Sequence, residues 1–303
     1  MVPSRQPITS DVHAYNWLQS LELYIFPVFG SKPVDQVNSA DVLRALRPAW
    51  NTVPDTAKRT LRRVSAIFDY CHVAGWRNIW IENGTVPVPM ANPCQGIDSA
   101  LPNHSTAPNH HESLPYSKLP AFIDKLRTSQ SALSVKLAFE FLILTCARTG
   151  EVLGATWDEI DLKGRMWTIP SSRMKMDKEH KVPLSARAIE ILKLAKQFND
   201  ADVVFPGRAA GHPLSNMAFL MALRRMGYED MTAHGFRATF KTWSHEKTKF
   251  DNLVIEASMA HAVKGIERHY LRTTFFEERR KLMGAWAAFA TKTRPTVKGA
   301  GMR

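Results

Sequence analysis

Between residues 77 and 115 the chain loses its helical period and fills with breakers: Gly84, Pro87, Pro89, Pro93, Gly96, Pro102 and Pro108. Proline removes a backbone donor and fixes φ, while glycine leaves the backbone unconstrained, so one continuous helical core cannot run through such a stretch. The chain is therefore expected to fold as two bodies, which 303 residues allow at about 100–200 residues per domain. We expect a tail over 1–11, a helical domain over 12–100, a linker over 101–114, a larger domain over 115–290 and a second tail over 291–303. The whole of 77–115 has linker composition, with one short piece of structure inside it. His104, His110 and His111 lie there too. No cysteine or carboxylate stands at ligand spacing, so they read as a solvated loop and not as a metal site.

Ahead of the breakers, Trp17, Leu18, Leu21, Tyr24 and Ile25 recur at helical spacing over 12–29, closed by Pro27 and Gly30. A shorter helix over 39–47 has Asn38 or Ser39 as cap and Pro48 as stop. A third runs from Pro54 to Ala74, its stripe made by Leu61, Val64, Ile67 and Phe68. Behind the breakers come helices over 116–128 and 131–147. Two apolar-alternating runs, 166–169 and 180–184, then flank a basic turn, which is a hairpin pattern. Further helices are expected over 185–197, 214–226, 235–248, 251–258, 263–270 and 276–290. The fold class is mainly α, with a small antiparallel β-sheet in the C-terminal domain.

Charge divides the chain unevenly. Residues 1–112 hold 9 Lys/Arg against 9 Asp/Glu, and residues 113–303 hold 31 against 19, so the whole excess of +12 lies in the second part. Such a surplus points to a polyanionic partner, most simply nucleic acid. The first part has one basic cluster, Lys58, Arg59, Arg62 and Arg63, along one helix face. It reads either as a solvated face or as a helix laid on a DNA backbone. No apolar run reaches the roughly 18–20 residues of a membrane span, and the N-terminus has no apolar signal region. Three scattered cysteines (Cys71, Cys94, Cys146) give neither a disulfide framework nor a CxxC pair. An intracellular, cytoplasmic setting without membrane contact is expected.

Several chemistries lack their motifs: there is no GxxxxGK[ST], no GxGxxG and no HExxH. Asp158, Glu159 and Asp161 read as an exposed turn after Trp157 and give little basis for a two-metal site. The informative groups are cationic. Arg148 ends an apolar helix, with Glu151 three residues on. Lys175 sits in the basic hairpin turn, with Lys178 and Lys181 as rivals. His234 and Arg237 are one turn apart, so their side chains point the same way. His261 and then Tyr270 follow. Each has a plain reading alone: a helix-end cation, a loop charge, an ordinary tyrosine.

Their order is what matters. An Arg, Lys, HxxR, His, Tyr series on a basic domain behind a small helical one resembles the tyrosine recombinases, within them the integrases of prophages and genomic islands. The stretches carrying the likeness are YIFPVFGSKPV, PDTAKRTLRRVSAIFDYC, CARTGEVLGATWDEIDL, RMKMDKEHKVPLS, HGFRATFKTW and MAHAVKGIERHYLR, together spanning about residues 12–290. The resemblance implies a two-domain enzyme that breaks and rejoins DNA strands through a 3′-phosphotyrosine, without metal or cofactor. Breaking a phosphodiester this way needs cations around the pentavalent phosphorus, and planar guanidinium groups pair two oxygens each. By the resemblance Arg148 and Arg237 are the candidates for that part, Tyr270 for the nucleophile and His234 for the proton acceptor. The resemblance assigns protonation of the leaving 5′-oxygen to Lys175 and a phosphate hydrogen bond to His261. Glu151 orients Arg148 or His234.

The partners implied are double-stranded DNA at core-type sites, further copies of the chain forming a tetramer in the synapse, and an accessory DNA-bending protein. The helix over 276–290 either packs on its own domain or docks on a neighbouring subunit. Related integrases carry an additional N-terminal domain for arm-type sites. Here the core-binding helices begin about eleven residues after Met1, so either a short form or a truncated chain is expected. The His261 box often reads Leu-Gly-His or Leu-Ala-His in the family; here it is Met259-Ala260-His261. Two other readings stay open: a type IB topoisomerase, which shares the chemistry, and a DNA-binding regulator that has lost catalysis.

Overall fold

The computed structural model describes residues 11–81, 83–102, 113–174, 177–198, 200–208, 211–261 and 274–292. Lys175, Tyr270 and the helix expected over 263–270 lie outside the described residues. The chain divides into two compact units, Met1–Pro108 and Asn109–Arg303.

The first unit is built on α1 (Asp11–Tyr24), α2 (Phe26–Phe29), α3 (Ser39–Thr52) and α4 (Pro54–Val73). Leu21, Ile25, Phe29, Val42, Leu46, Trp50, Val64 and Phe68 close its core. The expected single helix over 12–29 is broken at Ile25, and Pro27 opens the second piece, because a proline in a first turn forfeits no hydrogen bond. Asn38 is the cap of α3, its side chain accepting from the Asp41 N–H while Asp41 reaches back. Pro48 does not stop α3. The helix runs through it to Thr52, because Ala49 and Trp50 beyond it are buried and outweigh one lost hydrogen bond.

The stretch from 77 onward is more ordered than its composition suggests. Strands β1 (Asn78–Ile81) and β2 (Val86–Pro89) pair antiparallel, Trp80 opposite Pro87. A two-stranded ribbon has only edges, where proline is tolerated. Helix α5 (Ile97–Ala100) follows. The Asn92 side chain donates to Ser65 Oγ at 3.0 Å and Asp69 Oδ1 at 2.7 Å, and Trp50 Nε1 donates to the Pro102 carbonyl at 3.0 Å. These bonds fasten the segment to the helices.

The second unit centres on α7 (Leu133–Thr145), buried without a break from Leu137 to Thr145. Around it lie α6 (Leu119–Thr128), α8 (Thr149–Leu153), α9 (Ala186–Gln197), α10 (Ala218–Arg225), α11 (Gly235–Lys247), α12 (Asn252–Ser258) and α13 (Phe276–Ala290). The hairpin pattern gains a third strand: β3 (Ile160–Asp161), β4 (Met166–Ile169) and β5 (His180–Pro183) form an antiparallel sheet in that order. Glu140, in the middle of α7, is buried and held by Arg127 (2.5 Å) and Arg187 (2.8 Å). Burial alone would raise its pKa, but the two arginines hold it below the usual carboxylate range.

Packing bears on two further expectations. Helix α13 packs on its own unit: Leu282, Met283, Trp286, Ala287 and Ala290 are buried, and Trp286 Nε1 donates to the Ile143 carbonyl at 2.8 Å. The acidic trio is not one exposed turn. Asp158 and Asp161 are exposed, but Glu159 is buried and accepts from Trp167 Nε1 (2.9 Å) and from Arg173. Its carboxylate is fully engaged inside the unit. All three cysteines are free and buried.

Candidate active site

The site starts where α7 ends. Cys146 caps that helix with a left-handed backbone (φ 53°), which turns the chain sharply. Arg148 is therefore not a C-terminal cation of α7. Its extended backbone makes it the N-cap of α8. The buried Glu151, three residues on, accepts from the Arg148 backbone N–H at 2.7 Å and from Arg148 Nη1 at 2.7 Å. Of the two partners open to Glu151, the structure shows contact with Arg148. Arg148 Nη2 donates to the Ala260 carbonyl at 3.1 Å. A guanidinium has five N–H donors, so Arg148 keeps a fork of donors beyond these contacts, and its side chain is 27% exposed.

Arg237 enters from the first turn of α11 and is buried. It donates to the Cys146 carbonyl, to the Met259 carbonyl at 2.6 Å and to His261 Nε2 at 2.9 Å. Its Nε is buried and faces no acceptor. Burial lowers its pKa, with Arg148 adding repulsion and Glu151 and Glu256 opposing it. The two arginines are thus laced through each other's turns. Arg148 is held by the carbonyl of Ala260, and Arg237 by that of Cys146; both of those residues have positive φ. Such conformations cost about 1–3 kcal/mol outside glycine and gather at functional sites.

His261 sits between Arg237 and Glu256. Its Nε2 accepts from Arg237, so its proton is on Nδ1, which donates to Glu256 Oε2 at 2.5 Å. Burial lowers the pKa of His261; Glu256 opposes this, while Arg237 and Arg148 add to it. Both ring nitrogens are engaged within the protein, so the phosphate bond expected of His261 would require Nε2 to release Arg237. Glu256 also accepts from Lys241 at 2.6 Å. Burial would raise its pKa, but Lys241 and His261 hold it below the usual range.

His234 is exposed at the N-cap of α11, one turn ahead of Arg237. Arg148, Glu151, Arg237 and His261 are therefore one connected cluster, with His234 beside it on the same helix start. Of the rivals to Lys175, Lys178 is exposed, and Lys181 is exposed beside Glu179 at 3.6 Å. Glu256, Lys241 and His180 were not singled out from sequence. Glu256 precedes His261 by five residues, a spacing that no helical or strand period marks. His180 opens β5, and burial together with Arg279, Arg148 and Arg237 pushes its pKa down to about 3.

In the first unit the basic cluster divides. Arg59 and Arg62 are exposed on α4. Arg63 is half-buried, donating to the Asn16 carbonyl and Ser20 Oγ, both at 2.7 Å. Lys58 lies over the Trp50 ring, 5.9 Å from its centre.

Known proteins share the sequence pattern and the fold. Residues 2–79 match the phage integrase central domain, and residues 112–277 match the phage integrase family. Prophage integrase IntZ of Escherichia coli (strain K12) is 33% identical over 282 residues, covering 92% of this chain and 66% of that protein. The integrase of Enterobacteria phage P4 is 30% identical over 305 residues, covering 94% and 66%. The chain thus spans about two thirds of the length of these curated relatives. A lambda integrase tetramer bound to a Holliday junction superposes with a TM-score of 0.64 at 14% identity, over 85% of this chain and 73% of that one. The Tn1549 transposon integrase in complex with circular intermediate DNA gives 0.62 at 14% identity, over 92% and 95%. These solved structures share the fold: a helical domain followed by a mainly helical domain with a small antiparallel sheet. With over half its length inside the matched family and the two arginines laced at the core of that region, the chain belongs to the phage integrase family.

Proposed function

We propose that this chain is a site-specific DNA recombinase, cleaving and rejoining strands through a 3′-phosphotyrosine to move a mobile element. The observation that carries this is the pair of guanidinium groups, Arg148 and Arg237, fixed by Glu151, His261 and three backbone carbonyls with donors to spare. Groups fixed before substrate arrives need no reorganisation as charge builds on phosphorus. In the step proposed, the Tyr270 phenol oxygen bonds to phosphorus and the bond to the 5′-oxygen breaks. The phenol proton passes to His234, and the 5′-oxygen takes a proton from Lys175. Rejoining reverses each transfer, so the bond energy is kept. His261 orients Arg237, and Glu151 orients Arg148.

The duplex is the partner, with Arg59 and Arg62 on α4 offered to its backbone. A synaptic tetramer is supported by the lambda integrase tetramer on a Holliday junction, whose fold this chain shares. A bacterial host follows from the relatives; among the described residues no helix is long and apolar enough to cross a membrane.

The test is adduct capture. Wild type and Tyr270→Phe are incubated with a library of nicked duplexes, and detergent-resistant protein–DNA adducts are isolated. Adducts from wild type alone are expected, and their sequencing reveals the core site. An undiminished adduct from Tyr270→Phe removes the assignment. Binding without cleavage would favour the inactive regulator, and plasmid relaxation without sequence preference the topoisomerase.

A further inference from the structure

Arg279 occupies a core position of α13, on the stripe continued by Leu282, Met283 and Trp286, and is only 3% exposed. A charge in such a place is costly unless it is matched. Among the described residues no carboxylate pairs with it. Its guanidinium reaches the backbone of two separate segments instead. Nη2 donates to the Lys181 carbonyl at 2.7 Å and lies 3.4 Å from His180 Nε2. Nη1 lies 3.4 Å from the Thr274 carbonyl, and Nε faces no acceptor. Burial brings its pKa down to about 10, so it keeps its charge at neutral pH. An apolar side chain would fill this stripe position at lower cost. What the guanidinium adds is a rigid fork that joins β5 to the start of α13.

Those are the segments next to two groups of the proposed reaction. His180 and Lys181 open β5, five residues past Lys175, and Thr274 stands four residues past Tyr270. Five residues span at most about 18 Å, so β5 lies within that reach of the lysine. The shortest of the contacts is the one to β5. We propose that Arg279, with His180 as its partner, is a positioning residue that holds β5 on α13, and that protonation of the leaving oxygen by Lys175, five residues ahead of β5, depends on it. The inference rests on the function proposed above.

The test uses the full chain and the captured core site in two forms. One has the natural bridging 5′-oxygen. The other is a bridging 5′-phosphorothiolate, whose thiolate leaves without needing a proton when the tyrosine oxygen bonds to phosphorus and the P–S bond breaks. Arg279→Lys, which keeps the charge but not the planar fork, is compared with His180→Leu; DNA binding and thermal unfolding are checked in parallel. Arg279→Lys should cleave the oxygen duplex at least tenfold more slowly, yet the sulfur duplex within about threefold of wild type, with binding unchanged. His180→Leu should show the same pattern, more weakly. Wild-type rates on both duplexes, or an equal slowing on both, would overturn the inference. Lys175→Ala serves as the reference: if sulfur does not rescue it, the function assigned to that lysine fails, and if it is rescued while Arg279→Lys is not, only this inference fails.

Discussion

At the scale of single residues, the site depends on two carbonyls in uncommon conformations. Ala260 at φ 51° presents its carbonyl to Arg148 and is flanked by Met259 and His261, which both hold Arg237. A β-branched side chain tolerates this backbone poorly. Ala260→Val should cost about 2 kcal/mol in urea unfolding and lower cleavage more than binding, because Arg148 loses its outer support. Ala260→Gly should be close to neutral in stability. The family's frequent glycine before this histidine has its reason here, since glycine adopts positive φ without strain. The difference in this box was legible in sequence, but not the backbone conformation behind it; the arginines were legible too, Arg237 one helical turn from His234 and Arg148 three residues before Glu151. The role of Glu256 was not: it reaches His261 through the turn that ends α12, and no periodicity encodes that. Nor was the full engagement of His261, which follows from Arg237 arriving from another helix.

At the scale of elements, sequence reading succeeded where one face of a segment decides its fate. Helices α4, α7 and α13 and strands β4 and β5 all show in the apolar pattern. It failed where neighbours override local preference, as at Pro48 inside α3 and in the proline-bearing ribbon β1–β2. Strand β5 also carries a titration signature. His180 stays neutral in the folded unit down to about pH 3, against an ordinary value of 6.5. Its folded pKa is depressed, so the unfolded chain binds a proton that the native one refuses. Native stability should therefore fall as pH drops from 6.5 toward 3, with a slope of up to about 1.4 kcal/mol per pH unit from this residue. His261, also depressed, acts in the same direction. Urea unfolding at pH 7, 5.5 and 4.5 measures this slope, which His180→Leu should flatten.

At the scale of the molecule, two units divide the labour. The second holds 31 Lys/Arg against 20 Asp/Glu, almost the whole charge excess, and the site; the first, with 9 against 8, is nearly neutral but shows Arg59 and Arg62 to solvent. Binding to duplex DNA should weaken steeply with salt, each neutralised phosphate contributing roughly −0.9 to the log–log slope. Replacing Arg59 and Arg62 together by alanine should make the slope shallower by about 1.8 and slow cleavage only through weaker binding. An unchanged slope would refer these arginines to the solvated face. The burial of the three cysteines has a consequence at this scale too. Cys71 and Cys94 lie in the first unit and Cys146 in the second, and burial raises the pKa of all three. Only the thiolate reacts, so a thiol reagent meets almost nothing until a unit opens. The native chain thus carries its own pair of clocks: labelling at Cys94 times the opening of the first unit, and labelling at Cys146 times the moment when the turn beneath both arginines comes apart.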